Sequence, residues 1–191
     1  MTPLVRSLAV AALALAAPVA VKAQAAPAAA PATAAAPADS AGQAVGTARS
    51  LWQQLSTWIL QVAQDVPEAK YSWKPTPEVR SFGQQIGHVA GAQYMICAAA
   101  LGDSARGEDD IEKSKTTKAD LVAALRASNE YCTRAYAMSD AAAQGKTRLF
   151  GQEQTKLFAL MLNATHDGEH YGNLVTYMRL NKMVPPSSRR Q

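Results

Sequence analysis

The stretch THDGEHYGNLVTYM, residues 165–178, decides how the chain is read. His166 and His170 stand four apart in it, and on a helix that spacing stacks two imidazoles on one face, one turn apart, within reach of a common ion. The chain holds three histidines in all. The third, His88, lies in another stretch of helical pattern, SFGQQIGHVAGAQYMICAAAL at residues 81–101. One imidazole from one helix and an HxxxH pair from another supply three nitrogen ligands and leave coordination positions open for water or substrate. An HxxxH pair alone arises often by chance. That every histidine falls in the two most strongly patterned helices is what points to a metal.

Four helical segments surround these residues. Leu51, Leu55, Trp58, Ile59, Val62 and Val66 recur at helical spacing until Pro67 stops them. Pro75 and Pro77 exclude a helix from the next segment. Ser81 with Gln84 forms a capping box that opens the second helix, and Gly102 follows its end. Residues 103–114 read as a polar, charged loop. Thr117 with Asp120 starts the third helix by the same capping logic, with Leu121, Leu125, Tyr131 and Tyr136 available for packing. Residues 145–151 interrupt it, and the fourth helix is predicted from about Gln152 to Asn181, ahead of Pro185 and Pro186. No segment alternates with period two, so no strand is predicted. The expected fold is all-α, a four-helix bundle, which builds metal sites from inward side chains on facing helices.

The N-terminus bears on location. Residues 1–23 carry Arg6, an apolar run from Leu8 to Val21 and small residues suited to signal peptidase, so they read as a signal peptide. The run is too short and alanine-rich for a transmembrane helix, although an uncleaved anchor is the alternative. Residues 24–46 are almost all Ala and Pro and read as a disordered linker, because they cannot bury enough apolar surface to offset their ordering entropy. The bundle is then expected over residues 47–185, with a disordered tail at 186–191, in a periplasmic or secreted protein without stable membrane insertion. Without the cations Arg6 and Lys22, the formal charge of +4 falls to +2. Scattered basic residues at that balance make no nucleic-acid footprint.

At about 100° per residue, His166, His170, Asn173 and Tyr177 share a stripe with Leu162, and His88 shares one with Ser81, Gln84, Ala92, Met95 and Ala99. Asn173 and Gln84 are therefore substrate-binding candidates, and Tyr177 joins Asp167 and Glu169 as a catalytic candidate. The two acids flank the histidine pair, where either orients an imidazole or serves as a base at the rim; a solvated helix surface is the alternative. Metal affinity is expected to fall below the usual histidine range of about pH 6.5, since each imidazole binds only when neutral. Cys97 faces away from His88 and is a poor fourth ligand. Export favours a Cys97–Cys132 disulfide. If the second and third helices were antiparallel and level at their loop, the two cysteines would stand roughly 15 Å out of register, beyond a bridge. The long loop between them keeps the bond open, against two buried thiols.

The combination Trp73-Lys-Pro, Arg80-Ser-Phe-Gly-Gln-Gln-Ile-Gly-His88, His166-Asp-Gly-Glu-His170-Tyr-Gly-Asn-Leu-Val-Thr-Tyr177 and Val184-Pro-Pro resembles the DinB superfamily of metal-binding four-helix bundles, over nearly all of residues 47–188. The resemblance implies that His88, His166 and His170 bind one divalent ion, zinc or nickel. Characterised relatives include transferases and isomerases that use low-molecular-weight thiols, and an export signal departs from that pattern. Two functional classes follow. One is a metal-dependent hydrolase or thiol-dependent transferase with a small-molecule or thiol partner. The other is a non-catalytic exported module that binds a metal or small ligand. A homodimer is compatible with either.

Overall fold

In the computed structural model, residues 42–104 and 106–189 are described, so the expected signal peptide and most of the expected linker lie outside them. Helix α1 spans Gln43–Asp65, so helix replaces the last part of the expected linker. Its C-terminal half follows the expected stripe, with Ile59, Val62 and the cap residue Val66 buried, whereas near its start Trp52, 3% exposed, turns inward in place of Leu51, 40% exposed. Helix α2, Phe82–Leu101, opens on the capping box, with the Ser81 hydroxyl accepting from the Gln84 amide and the Gln84 side chain accepting from the Ser81 amide. A short helix α3, Asp110–Ser114, interrupts the charged loop. Helix α4, Lys118–Ala135, is capped by Thr117, as its sequence implies.

After the single turn α5, Asp140–Ala143, the chain forms a hairpin where the start of the fourth helix was expected. Strands β1, Lys146–Leu149, and β2, Gln152–Thr155, pair antiparallel through Phe150 and Gly151, both at positive φ. That two-residue turn fits the right-handed twist of paired strands. Thr147 donates to the Ala99 carbonyl and Leu149 is buried, so the hairpin docks on the end of α2. Helix α6, Lys156–Leu180, follows with Thr155 as its cap. The expected disordered tail is partly tied down: residues 186–188 form a turn, Tyr171 donates to Ser187, and Arg189 pairs with Asp65. Among the described residues no helix is long and apolar enough to cross a membrane.

The four long helices do not alternate in direction. Lys118 at the start of α4 donates to the carbonyls of Gln64 and Val66 at the end of α1, and Leu121 packs against Gly83 at the start of α2. At the other end, Arg49 donates to the Tyr136 carbonyl. Helices α2 and α4 are therefore parallel to each other and antiparallel to α1 and α6. Residues 102–117 must cross back along the bundle to permit this.

Parallel packing resolves the cysteine register. Cys97 and Cys132 lie at comparable depths from the starts of α2 and α4, and they form a disulfide with Cα atoms 5.4 Å apart. Reduction, or Cys132→Ser, is expected to cost about 4 kcal/mol on the loop-entropy relation for a separation of 35 residues. Metal content should not change. Thermal melts with and without reductant, alongside mass spectrometry of the unreduced, alkylated protein, check both; identical melts would count against a closed bond.

Candidate metal centre

Two apolar clusters fill the bundle, one around Trp52, Ile96, Tyr136 and Leu160 and the other around Ile59, Phe82, Leu125 and Leu174. Between them lies a layer of buried polar side chains, including Ser56, Gln93, Asp167, His88 and His170. Three imidazoles meet at its edge. His166 Nε2 lies 3.2 Å from His88 Nε2 and 3.1 Å from His170 Nε2. Two nitrogens each bound about 2.0–2.1 Å from one tetrahedral zinc ion stand about 3.3 Å apart. The observed spacing is that of donors to a shared ion.

The outer nitrogens support this. His170 Nδ1 donates to Gln85 Oε1 at 2.7 Å, which leaves the lone pair on Nε2 facing the other rings. The Nδ1 atoms of His88 and His166 are buried without a hydrogen-bond partner. Burial, then the nearby Arg80 charge, then His166, bring the His88 pKa down to about 4. Burial, followed by His166, His88 and Arg80, brings His170 down to about 3, and burial lowers His166 against a smaller opposing effect of Glu169. All three rings are thus neutral at physiological pH, the form a metal requires. The group can hold a metal ion.

The crossover brings carboxylates to the same place. Glu112 accepts from Arg80 Nε at 3.0 Å and stands 3.7 Å from His88 Nδ1. Glu108 Oε1 lies 3.6 Å from His88 Nε2 and 3.9 Å from His166 Nε2. The spacing of the sequence groups neither acid with the histidines, because each is near them only through the parallel crossover.

Other candidates occupy different surroundings. Asp167 is wholly buried, its two oxygens have no hydrogen-bond partner, and burial raises its pKa well above the usual carboxylate range. It therefore cannot act at the rim. Glu169 is exposed, close enough to act electrostatically on His166. Tyr177 donates to the Arg80 carbonyl at 2.7 Å and packs edge-on against Phe82 and Trp73, so its hydroxyl serves the core and helps place Arg80. Asn173 is exposed. Gln84 uses its amide oxygen on the cap and lines a cavity of about 230 Å³ together with Ser81, Glu112 and Thr116. The residue on the histidines is its neighbour Gln85, which a stripe drawn through Ser81 and Gln84 misses by one position.

A family model described as the DinB superfamily matches residues 51–174. The chain belongs to the DinB superfamily. Two solved DinB-like structures share its fold. One, from Bacillus cereus ATCC 10987, has a TM-score of 0.63 at 15% identity and covers 74% of this chain and 95% of its own. The other, from Bacillus subtilis, has a TM-score of 0.59 at 19% identity and covers 78% of this chain and 99% of its own. No curated protein matches.

Gln85→Leu removes the acceptor that orients His170 and is expected to weaken zinc binding by about 10-fold or more, within the range for outer partners of ligating histidines. Competition with a chromophoric chelator measures it.

The lowered histidine pKa values also shift the expected pH response. Below about pH 6.5 the unfolded chain takes up protons on its histidines, whereas folded His88 and His170 stay neutral to about pH 4 and about pH 3. Metal-free protein should therefore lose stability as pH falls from 6.5, and proton competition for the folded site begins below the ordinary histidine range. Asp167 acts in reverse, since the folded state keeps a proton that the unfolded chain gives up near pH 4, and its contribution is lost as pH rises through the raised value. Melts of chelator-treated protein should show stability rising from pH 5 to 6.5, and Asp167→Asn, which removes the opposing slope, should steepen that rise.

Proposed function

We propose that the chain is an exported, divalent-metal-dependent enzyme, a hydrolase or a thiol-dependent transferase acting on a small molecule, with zinc or nickel as the ion. The observation that carries this reading is the meeting of three neutral imidazoles at the edge of the buried polar layer, with His166 Nε2 3.2 Å from His88 Nε2 and 3.1 Å from His170 Nε2. A divalent ion bound there would supply Lewis acidity, which draws a proton from water or a thiol near neutral pH.

The protein's own groups suit such chemistry. Gln85 fixes the His170 ring. Arg80, partly exposed and close enough to act on all three imidazoles, offers a cation to an anionic substrate group. Exposed Glu169 is available to accept a proton beside His166. A cavity of about 230 Å³, lined by Glu112 and Gln84 but by none of the three histidines, has room for a small molecule beside Glu112. The Cys97–Cys132 bond supports an oxidising compartment.

The test uses the purified full chain, metal-stripped and then reloaded with zinc or nickel. Elemental analysis should give about one ion per chain, and His166→Ala should lose it. The loaded protein should hydrolyse 4-nitrophenyl acetate, or couple cysteine to 1-chloro-2,4-dinitrobenzene, faster than stripped protein does. Equal rates with and without metal would overturn the enzymatic reading in favour of a binding module. Stoichiometric metal in His166→Ala at wild-type affinity would remove the site itself.

A further inference from the structure

The crossover lies on α2 with no side chain between the two backbones. A Cβ added at Gly91 would stand 1.9 Å from the Glu108 carbonyl oxygen, and one added at Gly87 would stand 2.8 Å from the Glu112 Cα. Both obstacles are backbone, so they cannot move aside as a flexible side chain does. Gly87 and Gly91 are one turn apart and bracket His88, which places the segment they seat directly over the histidines.

The two glutamates of that segment face different nitrogens. Glu112 approaches the outer nitrogen of His88 and is held by Arg80. Glu108 instead puts Oε1 within 3.6 and 3.9 Å of the two inward nitrogens, His88 Nε2 and His166 Nε2. Neither distance is a hydrogen bond. Both lie only a few tenths of an ångström beyond the separation of about 3.3 Å that atoms bound to one tetrahedral ion adopt. The Glu108 oxygen thus approaches two of the three nitrogens that face the shared centre.

We propose that Glu108 is a fourth, monodentate protein ligand of the ion held by His88, His166 and His170, delivered by a crossover that Gly87 and Gly91 seat on α2. This rests on the reading of the three histidines as a metal site. With the carboxylate in place the ion and its protein ligands carry a net charge of +1 instead of +2, and water or substrate reaches the ion as a fifth ligand or by displacing Glu108. Glu108 is about one-third exposed, more open to solvent than His88 and His166 beside it.

The experiment titrates stripped full-length protein with cobalt(II), followed by its visible absorption, and then with zinc in competition. Glu108→Gln preserves size and is expected to weaken zinc binding by about 10-fold or more and to change the position and intensity of the cobalt bands. Gly91→Ala, which forces the segment off α2 while leaving every ligand present, should produce the same change. Unaltered affinity and bands in Glu108→Gln would overturn the proposal. So would an effect confined to Gly91→Ala, because the segment would then act without ligation. His166→Ala separates the two levels of the argument. Its retention of cobalt would defeat the three-histidine site, whereas loss of cobalt there with an unchanged Glu108→Gln would defeat only the fourth ligand.

Discussion

The contact of two backbones at Gly87 and Gly91 is the constraint on which the arrangement depends. A connection between parallel helices must travel the length of the bundle, and here it does so against α2 rather than out in solvent. The close approach sets α4 parallel to α2, brings Glu108 and Glu112 to the histidines and leaves α6 to close the other side. Any side chain larger than hydrogen at either position would lift the crossover and separate these features together.

The polar layer shows how the bundle accommodates a cluster of ionisable groups without a cluster of charges. Burial pushes the Asp167 carboxyl well above the usual carboxylate range, towards its neutral form, and the imidazoles are held neutral by burial and by the cation Arg80. Neutral forms are far less costly to bury than ions. The carboxylates that remain nearer solvent, Glu108 and Glu112, come from the crossover and not from the core helices. Core helices thus supply neutral donors, and the connection supplies negative charge.

The local features were legible in the sequence. The histidine spacing, the caps at Ser81 and Thr117 and the all-α class each depend on residues within a few turns of one another, where helical periodicity is informative. What depended on chain direction was not. Parallel α2 and α4, the level cysteines, and the approach of Arg80, Glu108 and Glu112 to His88 have no periodic signature. The hairpin escaped because its strands are four residues each and its turn is Phe150-Gly151, not the usual Asn-Gly or Asp-Gly. Asp167 was placed at the rim because it flanks the histidine stripe; its neighbours on the inward face, Asn163 and His170, show the interior it joins.

The disulfide has a consequence for the order of assembly. The chain's two cysteines allow a single intramolecular pairing, so oxidation cannot trap a scrambled isomer. Both precede α6 in the chain, and the loop they close contains the whole crossover. If the chain is exported as proposed and emerges N-terminal end first, that loop is available for closure before the last helix arrives. The covalent ring would then fix the two glutamates against α2, which carries His88 just outside the ring, as a prepared half-socket, and the helix bearing His166 and His170 would complete it as the final piece.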